Sequence, residues 1–457
     1  MGKRKSNLAV IILAAGKGLR MKSDIPKVLH KLGSQTLLER VIKSTKQAGA
    51  TEQVVVLGYK GNLVSKFLPP EVKIVTQTKP LGTGHAVKFA KKILGKNQGE
   101  VIVLCGDTPL ITPQTLKYLV KKHRSLRAKL SILTAEVAEP KGYGRVVRDS
   151  KNTNLISSII EEKEATQLEK EIREINSGIY CFSLDKLWEN LALIRNNNKK
   201  REYYLTDIVA IMQNKQQSVV AVKLKDATEI IGINARRDLS IAWKILNKRK
   251  LDLLKNSGVT IWDDKNTWID QEVEVGKDTI IFPGTYLKGK TKIGKGSLIG
   301  PEANILDSKI GEKVEIKYSV IEKATIGLGT KIGPFAHLRP GTKIGKKAKI
   351  GNFAEINRSK IADEVKVGHF SYLGDAIVEE KVNIGAGTVT ANYNGKCKQN
   401  TIIKAGAFIG SNTTLIAPTK VGKRALLGAG AVLVSGKEVP AGKIAVGVPA
   451  KVIKKRK

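Results

Sequence analysis

Three groups of residues have the side-chain types and spacing that chemistry requires. In the first, the apolar run Val10 to Leu13 leads directly into Ala14-Ala15-Gly16-Lys17-Gly18-Leu19-Arg20-Met21. Two glycines, two small alanines and the cations Lys17, Arg20 and Lys27 let backbone N–H groups and positive charge converge on phosphate oxygens at the C-terminal edge of a sheet. The segment is not a Walker loop, because GxxxxGK followed by Ser or Thr is absent, and the full GxGxxG fingerprint is absent too. A tight strand-to-helix connection uses the same residue types. In the second group, the apolar strand Val101 to Leu104 ends in Cys105-Gly106-Asp107, which places a carboxylate at the same sheet edge. Such an Asp either binds Mg²⁺ together with substrate phosphates or caps the turn at Thr108-Pro109.

The third group surrounds His369, one of only five histidines in 457 residues, in Val367-Gly368-His369-Phe370-Ser371-Tyr372-Leu373-Gly374-Asp375-Ala376. A lone histidine is more often structural. This one coincides with Asn383-Ile384-Gly385-Ala386-Gly387-Thr388 and Thr390-Ala391-Asn392-Tyr393-Asn394-Gly395, where a regular repeat breaks until Ile402, as a loop leaving the scaffold to build a site would do.

The elements that must position these groups differ along the chain. Up to Asn234, short apolar runs such as Val54 to Gly58 and Val101 to Leu104 alternate with helix-like stretches, which predicts an α/β domain over residues 1–235. Arg236 to Lys255 contains neither Gly nor Pro and repeats Leu239, Trp243, Leu246, Leu251 and Leu254 at helical spacing, predicting a connecting helix over 236–257. From 258 to 457 a period of six takes over. Ile332-Gly333, Leu338, Ile344-Gly345, Ile350-Gly351 and Ile356 follow one another, and the pattern returns through Ile361, Val367-Gly368, Leu373-Gly374 and Ile384-Gly385 to Leu433. An aliphatic at every sixth residue, followed by Gly or a small residue, is expected to point one branched side chain inward at each corner of a triangular coil, so most of these residues pack rungs.

Composition narrows the function. Lys and Arg total 80 against 41 Asp and Glu, a net charge of +39, which raises nucleic-acid binding. The lysines are spread along the whole chain rather than gathered in an aromatic-interleaved patch, so a solvated basic surface around anionic-substrate sites is expected, with no specific nucleic acid. Cys105, Cys181 and Cys397 are too few and too scattered for a disulfide framework or a thiolate metal site, which points to the cytoplasm. No apolar run approaches the ~20 residues of a membrane span, and Leu8 to Ala15 reads as a buried strand and not a signal peptide. Met1, Gly2 and Ser6 match a myristoylation pattern, but Lys3, Arg4 and Lys5 suit a solvated leader and no lipidation is expected.

Taken together, Leu13-Ala14-Ala15-Gly16-Lys17-Gly18-x-Arg20-Met21, Pro26-Lys27, Gln77 with Leu81-Gly82-Thr83-Gly84-His85, Gly106-Asp107, Gly142-Tyr143-Gly144-Arg145, Asn176-Ser177-Gly178 and Gly232-Ile233-Asn234 resemble the bifunctional N-acetylglucosamine-1-phosphate uridyltransferase and glucosamine-1-phosphate acetyltransferase family, over essentially the full chain. The resemblance implies a Rossmann-like α/β nucleotidyltransferase domain followed by a left-handed parallel β-helix of hexapeptide repeats, assembled as a homotrimer. It implies synthesis of UDP-N-acetylglucosamine, for cell-wall and lipopolysaccharide precursors, from small-molecule substrates with UTP and acetyl-CoA as co-substrates. By the same resemblance Asp107 and Asn234 hold Mg²⁺, while Arg20 and Lys27 offset phosphate charge. Leu13, Ala14, Ala15, Gly16, Gln77, Gly82 and Thr83 surround uracil and ribose; Gly144, Glu161 and Asn176 surround the amino sugar.

For acetyl transfer the resemblance makes His369 the general base, with Glu355 orienting it. Arg339 and position 357 meet the sugar phosphate, Tyr372, Asn383 and Asn392 the sugar, and Ala386, Asn392, Tyr393, Ser411, Ala429 and position 447 acetyl-CoA. The sequence departs from the family at several of these places. Asn357 stands where the family has Lys, Gly447 near where many members have Arg, Leu19 in place of Thr, and Cys105 in place of an aromatic. Arg358 and Lys360 are close to Asn357, but neighbouring strand residues are expected to face opposite sides of the coil. Asn357 and Gly447 favour a uridyltransferase whose β-helix only assembles subunits; His369, Tyr372, Asn383 and Asn392 oppose that. A basic assembly or nucleic-acid-binding protein without catalysis is the remaining alternative.

Overall fold

The computed structural model describes residues 7–95, 97–150, 152–198 and 200–455. Met1, Gly2 and Ser6 of the myristoylation pattern lie outside the described residues. The chain forms two compact units that divide between Ile245 and Leu246.

The first unit is built on a nine-stranded sheet, whose strands are β1 (Leu8–Ala14), β2 (Glu52–Leu57), β3 (Lys73–Thr76), β4 (Glu100–Cys105), β5 (Leu130–Glu136), β6 (Arg145–Arg148), β7 (Ile156–Ile160), β8 (Glu174–Ser183) and β9 (Val219–Lys223). The order is β9-β5-β8-β4-β1-β2-β3, with β6 and β7 hanging from β8 as a hairpin. Strand β8 runs antiparallel between β4 and β5, and β1 runs parallel to both β2 and β4.

Strand β1 is apolar at every position because both of its faces are covered. Val10 and Ile12 pack with residues of helices Leu37–Ala48 and Pro113–Ser125, while Ala9 and Ile11 pack with residues of helices Thr83–Leu94 and Leu184–Leu191. The first helix starts at a Thr36–Glu39 capping box and stops at Gly49, whose φ of 106° no L side chain adopts comfortably. In-register pairing of Leu13 with Cys105, and the Gly106 N–H bond to the Leu13 carbonyl (2.9 Å), put the ends of β1 and β4 side by side. The two chemical segments predicted at one sheet edge therefore do share it.

The second unit is a triangular coil of parallel rungs, with sheets of twelve, ten and ten short strands among the described residues. One interior column runs through Ile305, Ile321, Leu338, Ile356 and Leu373, each fully buried and paired in register with the next. The residue before an interior aliphatic faces out, and this is often Lys: Lys331, Lys343, Lys349, Lys360 and Lys366 are exposed beside buried Ile332, Ile344, Ile350, Ile361 and Val367. After Thr390 the intervening segment closes on itself through a Tyr393–Lys398 bridge before the strand Thr401–Ile403 resumes the coil, where the interior positions are Thr401 and Ile403 and the expected Ile402 is only half-buried.

Helix Arg236–Asn256 ends on the first coil. Asn247 Nδ2 donates to the Thr267 carbonyl (2.8 Å) and its Oδ1 accepts from the Ile269 N–H (2.9 Å). The Lys250 ammonium donates to the carbonyls of Val273 (2.6 Å) and Gln271 (3.0 Å), and Leu251 and Leu254 enter the interior stack. The open end of a solenoid would otherwise expose apolar interior and unpaired backbone, and this half-helix satisfies both. No helix among the described residues is long and apolar enough to cross a membrane.

Candidate active sites

In the first unit a cleft of about 660 Å³ opens at the shared end of β1 and β4. It gathers Leu13, Ala14, Ala15, Gly16, Arg20, Lys27, Gln77, Gly82, Thr83, Asp107 and Glu161 from seven places in the sequence. Gly144, Asn176 and Asn234 do not line it; Asn176 N–H bonds the Gly144 carbonyl (2.9 Å), and its Nδ2 donates to the Tyr180 hydroxyl (2.8 Å).

Lys27 is the electrostatic centre of the cleft. Its ammonium pairs with Asp107 Oδ2 and donates to Asn234 Oδ1 at 3.2 Å. Asn234 is held in place by its N–H bond to Asp238 Oδ2 (2.7 Å) and by Nδ2 donating to the Gly232 carbonyl (3.4 Å), so its amide oxygen is the end directed at Lys27. Backbone pairing of Ile233 N–H with the Asp107 carbonyl (2.8 Å) brings the two segments together across 126 residues of sequence. Two hard oxygens thus point at one cation position. Among the described residues there is no cluster of three or more His, Cys, Asp or Glu side chains able to hold a metal by themselves. Cys105, beside Asp107, is no nucleophile: burial first, and then the Asp107 charge, push its thiol up to about 12.

The glycines of Leu81-Gly82-Thr83-Gly84-His85 have a steric cause. A Cβ on Gly82, where φ is 102°, would lie 2.6 Å from the Tyr203 carbonyl oxygen, and one on Gly84 would lie 3.1 Å from it. Bonds from Gly84 N–H to the Tyr203 carbonyl (2.8 Å), Tyr203 N–H to the Leu81 carbonyl (2.8 Å) and Leu205 N–H to Thr83 Oγ1 (3.0 Å) zip the two segments together. The second segment contributes Lys200, Glu202 and Tyr204 to the cleft, which sequence analysis missed because no motif marks them.

In the second unit His369 is exposed at a corner of the coil and its imidazole makes no hydrogen bond among the described residues. Its Nδ1 would lie 3.0 Å from a Cβ placed on Gly351 of the preceding coil. The corner positions on successive coils beyond it are Ala386, Ser411 and Ala429, linked by N–H bonds from Gly387 to the His369 carbonyl, Asn412 to the Ala386 carbonyl and Gly430 to the Ser411 carbonyl (2.7–2.8 Å). A column of small side chains therefore leads away from the imidazole. Gly374 brings two more expected residues together, since a Cβ there would lie 2.6 Å from the Tyr372 hydroxyl and 2.5 Å from Asn392 Nδ2. Asn383 is half-buried at a rung two strand positions away, between Lys366 and Phe408 in register, while Tyr393 is exposed and donates to the Gly395 carbonyl (2.7 Å).

Two expectations change here. Glu355 accepts from Arg339 Nη1 (2.9 Å) and has no bond to His369, so within one chain it orients the arginine and not the base. Arg358 does not face away from Asn357. The strand ends at Asn357, Arg358 turns the corner with φ 49°, and its Nη1 reaches Asn357 Oδ1 at 3.3 Å. The rest of the guanidinium holds Asp375 through two bonds of 2.8 Å, and Asn392 Nδ2 donates to the same carboxylate (2.5 Å). That pairing with Arg358 holds the Asp375 carboxyl below the usual range. Gly447 has φ 96° and supplies no side chain.

Comparison with known proteins fits both units. The nucleotidyl transferase family matches residues 9–270, and the bacterial transferase hexapeptide repeat, the unit of left-handed parallel β-helices, matches residues 323–358. Bifunctional protein GlmU of Carboxydothermus hydrogenoformans is 46% identical over 423 residues, spanning 93% of this chain and 94% of that one. The same protein from Clostridioides difficile is 44% identical, spanning 98% and 96%, and that of Streptococcus agalactiae serotype V is 43% identical, spanning 97% and 95%. The chain belongs to the bifunctional GlmU family. It is a transferase of UDP-N-acetylglucosamine synthesis, combining uridylyltransferase and glucosamine-1-phosphate acetyltransferase activities.

Within this GlmU-family chain one acid of the nucleotidyltransferase unit is poised near neutrality. Burial, and then the neighbouring Glu161, raise the Asp207 carboxyl from 3.8 to about 6, while Glu161 itself accepts from Thr206 Oγ1 (3.0 Å). Because the folded value lies above the unfolded one, the stability that protonated Asp207 contributes is fully present below about pH 4 and lost as pH rises through 6. Asp207→Asn should therefore raise the melting temperature at pH 7 by a few degrees, and thermal scans across pH should show this gain vanishing near pH 4; a gain independent of pH would contradict the assignment.

Proposed function

We propose that the cleft of the first unit binds UTP and N-acetylglucosamine-1-phosphate around a Mg²⁺ held by Asp107 and Asn234. The convergence of the Asp107 and Asn234 oxygens on the Lys27 ammonium carries this proposal. Oxygens that accept from an ammonium are the hard donors Mg²⁺ prefers, and two protein ligands leave the remaining positions to substrate oxygens and water. When bound, the ion would draw negative charge from the reacting phosphates. Leu13, Ala14, Ala15 and Gly16 offer backbone and mostly small side chains to the nucleotide, and Gln77, Gly82 and Thr83 close its base end; of the residues that the family resemblance assigns to the sugar, Gly144, Glu161 and Asn176, Glu161 lines the cleft. The sugar phosphate oxygen attacks the α-phosphorus of UTP and pyrophosphate leaves. No covalent enzyme group is needed, so Arg20 and Lys27 act by positioning and charge neutralisation.

At the β-helix, His369 accepts the proton of the glucosamine-1-phosphate amine as that nitrogen attacks the acetyl-CoA thioester, and the CoA thiolate departs. An imidazole free of protein partners supports this role. Arg339, Tyr372, Asn383 and Asn392 receive the sugar phosphate, with Arg358 beside Asn357 providing positive charge where that side chain has none. The column Ala386, Ser411 and Ala429, with Tyr393, leaves room for the extended CoA arm, and the backbone at Gly447 lies at its far end. Acetyl transfer precedes uridylyl transfer. A requirement for UTP and acetyl-CoA supports a cytoplasmic enzyme.

Three outcomes are expected. Asp107→Ala abolishes pyrophosphate release from UTP while thiol release from acetyl-CoA continues; persistence of uridylyl transfer would remove the metal assignment. His369→Ala lowers acetyl transfer by about 10²–10⁴-fold, measured as free CoA thiol, without altering uridylyl transfer. The chain also assembles as a homotrimer through the β-helix, supported by the exposed ring stack Tyr318, Phe335, Phe353 and Phe370 along one corner, with centroids 5.0–5.5 Å apart. Sedimentation equilibrium should return three times the chain mass, and a monomer at micromolar concentration would count against the trimer.

A further inference from the structure

Gln77 follows strand β3 at the base end of the cleft and is only 7% exposed. Its side-chain nitrogen has two N–H groups, and the structure provides an acceptor for each: the Gly82 carbonyl at 3.1 Å and His85 Nδ1 at 3.0 Å. Turning the amide over would set its oxygen against a carbonyl oxygen and an imidazole lone pair at once, two repulsive contacts in place of two bonds. Gln77 Oε1 has no partner among the described residues, and as an acceptor on the cleft lining it is available to a donor from whatever fills the cleft.

His85 can accept at Nδ1 only while that nitrogen is unprotonated. The Gly82 carbonyl holds the amide nitrogen on this side, so the 3.0 Å contact requires Nδ1 to be the accepting nitrogen, with the ring proton on Nε2. Burial, and then the Lys88 charge, lower the imidazole's pKa and so disfavour its charged form. The ring is clamped between two aromatics: it stacks on Tyr203 at 6.1 Å between centroids and meets Phe89 edge-on at 5.1 Å. Tyr203 belongs to the segment that the Gly82 and Gly84 contacts hold in place.

We infer that His85 is a positioning residue that locks the Gln77 amide with its carbonyl oxygen toward the nucleobase, so that the pocket selects a base carrying a ring N–H. The inference rests on the proposed assignment of this end of the cleft to the base. Uracil presents its N3 imide N–H to such an oxygen, whereas cytosine presents a lone pair at N3. A 5-methyl group leaves the imide intact, so this device does not separate UTP from 5-methyl-UTP.

The test is a set of kcat/KM ratios for uridylyl transfer, which are independent of the fraction of enzyme that is folded. In His85→Ala the second Gln77 N–H loses its acceptor and the amide is free to turn, so the UTP/CTP ratio should fall by roughly tenfold or more while the UTP/5-methyl-UTP ratio stays unchanged. His85→Asn, which returns an amide oxygen near the position of Nδ1, should recover most of the discrimination. If Gln77→Ala loses UTP/CTP discrimination but His85→Ala retains it, the positioning role of His85 is overturned and the base site stands. If Gln77→Ala also keeps full discrimination, Gln77 does not face the base and the assignment of this end of the cleft fails with the inference.

Discussion

The architecture depends on places where backbone must touch backbone with no side chain between. In the β-helix a Cβ on Gly276, Gly294, Gly368 or Gly385 would fall 2.5–2.6 Å from backbone atoms of the next coil. Only hydrogen at these corners lets successive coils approach closely enough for strand after strand to pair in register, and that pairing stacks the interior aliphatics into a continuous core. The same constraint operates in the first unit, where a Cβ on Gly58 would lie 2.7 Å from the Ala15 carbonyl oxygen and one on Gly82 would press on Tyr203. Some of these close contacts, such as Gly58 against Ala15 and Gly385 against Ser411, involve residues proposed to meet substrate, whereas others, such as Gly276 against Lys295 and Gly294 against Glu312, serve the fold alone.

Charge follows from the same geometry. A coil with two- to three-residue strands offers an outward position beside almost every interior aliphatic, and lysine fills many of these positions. Several are paired across coils, as Lys292 is with Glu274 (2.8 Å) and Lys331 with Glu315 (3.1 Å), but exposed pairs of this kind contribute little to stability. The +39 balance is therefore largely a solvated exterior, and the cations that matter chemically are the few held in place: Lys27 against Asp107 and Asn234, Arg339 against Glu355, and Arg358 against Asp375.

The Arg358 network shows how a departure in sequence can be absorbed locally. Asn357 is 5% exposed and carries no charge, yet the corner immediately after it turns a guanidinium back onto its amide. Asp375 joins that guanidinium to Asn392, so the positive charge and the amide proposed to meet the sugar are parts of one hydrogen-bonded unit. Alternation of side chains along a strand predicts the opposite disposition, and it fails because Arg358 is already off the strand.

Much was determined by the sequence alone. The sixfold aliphatic period has one physical solution, a coil with three inward positions per turn, and the apolar strands ending in Ala14-Ala15-Gly16 and Gly106-Asp107 can meet only at a sheet edge if they are neighbours. The break after Thr390 was legible for the same reason, since a missing interior residue must be looped out. What tertiary structure decided were the contacts that no local pattern encodes. Asn234 reaches Lys27, the 200–204 segment enters the cleft, Glu355 turns to Arg339, and His85 takes one hydrogen of Gln77. Each depends on where a side chain lies in three dimensions and on which acceptor is left for it, and a one-dimensional pattern carries periodicity and residue type but not that competition for partners.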